Sequence, residues 1–345
     1  MSGEEPKSEE NDTIVGGKFK LLNKIGEGSF GDIYFGKSVS GNKHVAIKIE
    51  KKTKYATQLL NEKSIYNYLA GGFGIANVHY FGCYNKCYVL VIDRLGPNLE
   101  ELFVACHCRF SMKTVIQIFE QLLERLEYMH SKGIIHRDVK PHNFLIGHTD
   151  GTRSTIFISD FGLSKFYCDP KSKKHIKFRE DKKLVGTVRY ASINSHLGYE
   201  QSRRDDLEAV GYTAIYFAKG ILPWQGLKAN SKKQKYEKIA EKKLSISVEQ
   251  LCKELPDEFV IYLNYIRNLL YDEDPDYDYL LSLFKNLHKI LNYKRDNHYD
   301  WLDDKGKLRL KSEKEKKEKA KKEKQAAKVK KTKKVQDIKQ TVTQN

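Results

Sequence analysis

The pattern of apolar residues changes character once along this chain, and that change limits the folds open to it. Residues 19–95 carry short β-branched and aromatic runs: Phe19–Ile25, Gly31–Lys37, His44–Glu50, Val78–Cys83 and Cys87–Asp93. Turn residues such as Ser40-Gly41-Asn42 and Tyr84-Asn85 separate them, which predicts an antiparallel sheet. One helix interrupts the sheet, because Leu59, Glu62, Ile65, Tyr66 and Leu69 recur at helical spacing before Gly71-Gly72 stops them. Residues 98–300 read as mainly helical, as at Ser111–His130, Asp205–Lys219 and Glu258–Leu270. The expected fold is α+β and two-lobed. A small antiparallel sheet lobe with one helix (19–95) joins a larger, mainly helical lobe (98–300), with flanks at 1–18 and 301–345.

The flanks differ from this body in composition. Residues 1–18 are acidic and polar and are expected to be disordered. They resemble neither a signal peptide nor a transit peptide, and no glycine follows Met1 for myristoylation. No apolar run reaches the roughly 18 residues that a membrane span needs. The formal charge of +17 sits mostly at the other end: residues 305–339 hold 17 Lys/Arg against 5 Asp/Glu, a net +12. That tail places Glu313, Glu315 and Glu318 four residues before Lys317, Lys319 and Lys322, the helix-favouring order, yet it has no apolar stripe. It reads as a solvated, partly helical segment, with polyanion binding or nuclear import as the alternative. The expected location is cytoplasmic or nuclear, and the expected state monomeric. The six cysteines have no framework spacing, so free thiols are expected in a reducing compartment. Cys83, Cys87, Cys106 and Cys108 lack the matched second pair of a structural zinc site.

Chemistry is concentrated in a few ordered motifs. His136-Arg137-Asp138-Val139-Lys140-Pro141-His142-Asn143 is followed by Asp160-Phe161-Gly162, and the two together fit the paired signature of phosphoryl transfer. Asp138 is the candidate to accept and orient a substrate hydroxyl, with positioning weighing more than basicity. Lys140 can neutralise charge on the transferred group. Asn143 and Asp160 are hard oxygen donors of the kind Mg²⁺ favours. His136 and Arg137 read as structural, one packed under the loop and the other holding the segment that follows. Asp206 is expected both to cap a helix and to hold that loop's backbone.

Upstream, Gly26-Glu27-Gly28-Ser29-Phe30-Gly31-Asp32-Ile33 matches G-x-G-x-x-G-x-V with Ile for Val. Its glycines let backbone N–H groups approach phosphate oxygens. Its place between two predicted strands argues against the dinucleotide version, whose glycines open a helix. Val45-Ala46-Ile47-Lys48 follows on the next strand, and Glu62 lies on the inward face of the only helix of this lobe. A Lys48–Glu62 pair would fix the ammonium against phosphates.

With these residues in view, the chain resembles the protein kinases over roughly 19–300, and within them the casein kinase 1 family. The marks are Gly28-Ser29-Phe30-Gly31-Asp32-Ile33-Tyr34, Leu95-Gly96-Pro97-Asn98-Leu99, and Gly186-Thr187-Val188-Arg189-Tyr190-Ala191-Ser192-Ile193-Asn194. In the last, Ser192-Ile193-Asn194 stands where most kinases have Ala-Pro-Glu. The resemblance implies a Ser/Thr kinase using ATP and Mg²⁺, with acidic or phosphate-primed protein substrates and no need for activation-loop phosphorylation. It implies an ATP site of Ile25, Gly26, Gly28, Ser29, Gly31, Ile33, Ala46, Lys48, Glu62, Ile92, Asp93 and Leu95. It also implies a substrate anion site of Arg189, Gly226 and Lys235, with Lys182 nearby. His142 departs from the family's usual Asp at a position that is not a metal ligand. A catalytically weak scaffold is the competing reading, but such chains usually lose Lys48, Asp138 or Asp160, and all three are present.

Overall fold

A computed structural model describes residues 13–28, 31–52 and 58–309. The expected flank at 1–12, Ser29 and Phe30 of the glycine-rich segment, and the tail from 310 lie outside the described residues. The chain divides between Asn297 and His298.

In the first unit, alternation of apolar and polar residues builds an antiparallel sheet with the order β1-β2-β3-β4-β6-β5. Its strands are β1 (Ile14–Val15), β2 (Phe19–Gly28), β3 (Gly31–Ser38), β4 (His44–Lys51), β5 (Val78–Tyr84) and β6 (Cys87–Asp93). On β4, side chains point alternately to the two faces. Val45 and Ile47 pack with Val15, Phe19, Val89 and Val91, which turns Ala46 and Lys48 to the other face. Helix α1 (Gln58–Tyr68) buries Leu59, Glu62, Ile65 and Tyr66, and Gly71 follows it at φ +83°.

The first unit begins earlier than its composition suggested. Residues 13–18 were expected within a disordered flank, but Ile14 pairs with Lys20 and Val15 with Phe19. Val15 is fully buried. Gly16 and Gly17 turn the chain at φ +58° and +64°, and a side chain at Gly16 would strike the Tyr80 ring at 2.6 Å.

The larger lobe is helical: α2 (Leu99–Ala105), α3 (Met112–Ser131), α4 (Ile193–His196), α5 (Arg203–Lys219), α6 (Lys232–Ser245), α7 (Val248–Leu251), α8 (Asp257–Asn268) and α9 (Tyr277–Ile290). Ser111 caps α3 by accepting from Thr114 N, and α5 is buried along nearly its whole length. Phe119, Tyr262 and Phe284 join α3, α8 and α9, with Phe119 and Phe284 ring centres 4.2 Å apart. Two short antiparallel pairs position the loops that matter most. β7 (Ile134–Ile135) pairs with β10 (Lys165–Phe166), and β8 (Phe144–Ile146) with β9 (Ile156–Ile158). The segments 136–143 and 159–164 leave from these pairings, so both are anchored at each end. No helix among the described residues is long and apolar enough to cross a membrane.

In the second unit, residues 301–309, the first part of the expected solvated tail, make contacts of their own. Tyr299 and Trp301 stack with ring centres 4.5 Å apart, Leu302 bridges to Leu308, and Asp303 Oδ1 accepts from the N–H groups of Lys305 and Lys307.

Candidate active site

Asp206 organises the loop that follows β7. Its carboxylate accepts from His136 N at 2.6 Å and Arg137 N at 2.8 Å, and His130 Nε2 lies 3.0 Å away. Burial alone would raise this carboxyl, but His130 and the backbone donors hold it below the usual carboxylate range. Arg137 sits at φ +67°, a region a side chain seldom adopts, and the bond to Asp206 fixes it there. The helix-capping role expected of Asp206 belongs to its neighbour: Asp205 Oδ2 accepts from Ser202 N at 2.7 Å. One carboxylate faces the helix start and the next faces the loop. His136 is fully buried, with Nε2 donating to Ser159 O and Nδ1 accepting from Asp138 N. Arg137 Nε donates to Leu163 O at 2.7 Å, which ties this loop to the segment after Asp160.

Asp138 is held on both oxygens. Thr187 donates to Oδ1 from its N–H at 2.8 Å and its hydroxyl at 2.7 Å, and Lys140 Nζ donates to Oδ2 at 2.7 Å. Burial opposes ionisation, but the Lys140 charge and the Thr187 hydroxyl prevail and hold Asp138 below its ordinary value. Asn143 Nδ2 donates to Asp138 O at 2.8 Å, which leaves the amide oxygen of Asn143 for a ligand. Gly186 permits this closeness, since a Cβ there would lie 2.3 Å from Arg137 O.

Above this loop, Lys48 Nζ is 2.5 Å from Glu62 Oε1 and 3.8 Å from Asp160 Oδ1. Burial works against the ammonium, yet the two carboxylates raise its pKa above the ordinary lysine range, so Lys48 stays charged. Asn61, one residue before Glu62, donates to the carbonyls of Phe161, Gly162 and Ser164 at 3.0–3.3 Å. The Phe161 ring packs edge-on to Tyr66, with centres 4.6 Å apart. Helix α1 is thus fastened to the segment that carries Asp160.

A cleft of about 1020 Å³ joins these groups. Ile25, Gly26, Ile33 and Ala46 form its roof, with Ile92, Asp93 and Leu95 at the back. Lys48, Lys140, Asn143 and Asp160 line the inner end, and Arg189, Gly226 and Lys235 a further arm. Among the described residues, Gly31, Glu62, Asp138 and Lys182 were expected at the site but do not line the cleft. Gly28 and Gly31 pair at the hairpin tip, where a Cβ on Gly31 would meet Ile49 O at 2.1 Å. Glu62 stands behind Lys48, and Asp138 behind Lys140 and Thr187. Lys182 is placed elsewhere, its Nζ 3.1 Å from Glu200 Oε2. Asp93 spends its carboxylate on Asn77 and His79, and the Arg94 guanidinium lies over Phe35 at 4.1 Å.

Sequence reasoning passed over Asn61, His130, Thr187 and Lys232. Lys232 also lines the far arm, and its three-residue spacing from Lys235 on a helix was a legible signal.

The Asn143 amide oxygen and the Asp160 carboxylate fit a small divalent cation that takes its other ligands from phosphates and water. Among the described residues, no group of three or more His, Cys, Asp or Glu is placed to cage a metal. A fixed ammonium 3.8 Å from Asp160, lining one cleft with Asn143 and Lys140, suits a polyphosphate, and the Asp138 carboxylate held by Lys140 suits the hydroxyl that attacks it. The cleft is that of a phosphotransferase. The protein kinase domain model matches residues 19–295, and the chain belongs to the protein kinase family. Members of this family generally use ATP and Mg²⁺ and act on proteins.

Proposed function

We propose that the protein is an active Ser/Thr kinase of the casein kinase 1 type that uses ATP with Mg²⁺ and prefers acidic or phosphate-primed substrates. The observation that carries the substrate preference is the far arm of the cleft. Arg189 lines it half-buried, and among the described residues the only hydrogen-bond partner of its guanidinium is the Tyr190 hydroxyl at 3.4 Å. Lys232 and Lys235 line the same arm, both exposed. An arginine without a carboxylate partner, flanked by lysines, suits a phosphate or a cluster of acids.

Independence from activation-loop phosphorylation is supported by what already holds that segment. Arg137 is bonded to Leu163 O, and Thr187 to Asp138. Gln201 Nε2 donates to Val185 O at 3.2 Å. Protein groups supply the contacts that a loop phosphate would otherwise provide.

Arg189→Ala tests the preference. KM for a primed peptide should rise about 10-fold or more, the scale of a charge-assisted hydrogen bond, and the unprimed peptide should change far less. Equal losses on both peptides would remove the anion site.

A further inference from the structure

Lys243 is the most deeply buried cation among the described residues outside the machinery described so far. It sits in the last turn of α6 with no exposed surface. Its ammonium donates to Val188 O at 3.0 Å and Ala191 O at 2.5 Å, and lies 3.3 Å from His196 Nε2. Burial and the Lys243 charge push the His196 pKa down to about 4. The imidazole is therefore neutral, and its Nε2 is free to accept. Burial pulls the Lys243 pKa down to about 7, and in its charged form three acceptors meet the three N–H bonds of one ammonium. The Tyr212 and Trp224 rings cover it, each centroid 5.0 Å from Nζ.

These contacts converge on one stretch of chain. Trp224 Nε1 donates to Arg189 O at 2.7 Å, so the carbonyls of Val188, Arg189 and Ala191 are all held from the same side. The donors that follow are held by carboxylates, Ile193 N by Glu208 Oε2 at 3.3 Å and Ser192 Oγ by Asp205 Oδ1 at 2.5 Å, so the carbonyls are left to the nitrogens of Lys243 and Trp224. The helix whose last turn holds Lys243 also carries Lys232 and Lys235 on the cleft wall.

We propose that Lys243 is the positioning residue of the substrate segment, holding residues 188–191 so that Arg189 presents its guanidinium to the anion arm. Helix α6 then sets both sides of that arm, through Lys232 and Lys235 directly and through Lys243 from beneath. The inference rests on the anion-site reading above.

The test is a double-mutant cycle with Arg189→Ala, Lys243→Met and the pair, measuring kcat and KM on a phosphoserine-primed peptide and its unprimed counterpart. Lys243→Met should raise KM for the primed peptide by roughly five-fold or more, as expected for orphaning buried acceptors that fix an arginine. Its kcat should change less, and the pair should lose no more primed selectivity than Arg189→Ala alone. Lys243→Gln, which keeps two N–H donors, should fall between wild type and Met, and it also reads the role should the Met variant not fold. If Arg189→Ala alters selectivity while both Lys243 variants leave it intact, or if the losses multiply, Lys243 has no positioning role. If Arg189→Ala itself leaves selectivity unchanged, the anion-site reading fails and the positioning role falls with it.

Discussion

Asp138→Asn should lower phosphate transfer to casein by roughly 10²–10⁴-fold while leaving ATP affinity within about two-fold. The separation follows from where the carboxylate stands. Asp138 lies behind Lys140 and Thr187 rather than on the wall of the nucleotide cleft, so its loss should not touch nucleotide binding. Its Oδ1 is occupied by the two Thr187 donors, whereas Oδ2, held by Lys140 at 2.7 Å and only weakly by Asn143 Nδ2 at 3.4 Å, is the oxygen open to a substrate hydroxyl. An amide NH₂ at that position would face Lys140 as a donor and could no longer accept. The depressed pKa also fixes the sign of any pH effect. A carboxylate held below its ordinary value is ionised above it, and loses both charge and stabilising contacts only as pH falls through the depressed value. Activity lost between pH 8 and pH 6 therefore has another origin, and the ratio of wild-type to Asn-variant rates should stay flat across that range. Single-turnover transfer and nucleotide-dependent thermal shifts, measured side by side, check both halves. Equal incorporation by the two proteins would overturn the assignment of Asp138 to the reaction.

What the sequence could and could not disclose follows from the range of the forces involved. The sheet was readable because each strand states its own buried face: Val45 and Ile47 alternate with Ala46 and Lys48 whatever else the chain does. Glu62 was readable because the small lobe shows a single long helix among its described residues, and its spacing from Leu59 and Ile65 leaves one inward face. Ile14–Val15 escaped because the acidic residues before it dominate the composition, and two residues are too few to show a period. Asp205 and Asp206 were interchangeable in sequence. Which of two adjacent acids caps α5 and which holds the catalytic loop depends on where β7 ends, and that is a matter of tertiary structure. Lysines misled most. Lys182, in a plausible place beside the anion site, is paired with Glu200. Lys243, which no motif in the sequence singles out, has no exposed surface. A lysine's long stem lets its charge sit far from its Cα, so spacing along the chain says little about where the charge ends up.

Lys48→Met should abolish measurable transfer and also destabilise the fold by about 3–5 kcal/mol near neutral pH, the usual result of removing one partner from a buried ion pair. Glu62 is 3 % exposed, and Asp160 Oδ1 already lies 3.8 Å from the ammonium, so the variant leaves two carboxylates near each other with no cation between them. Burial raises the Glu62 pKa even in the wild type, and removing Lys48 raises it further. A carboxyl whose folded pKa lies above its unfolded value imposes no penalty below the unfolded value, about 4.3 for Glu. The penalty grows as pH climbs from there through the folded value, and is complete above it. The deficit in Tm relative to wild type should therefore be larger at pH 8 than at pH 5. Adding Glu62→Gln should recover most of the stability, because the buried charge is gone, and none of the activity, because no ammonium meets the phosphates. Restored transfer in the double variant would show that the Lys48 charge is dispensable; a Tm deficit independent of pH would show that Glu62 does not ionise beside it.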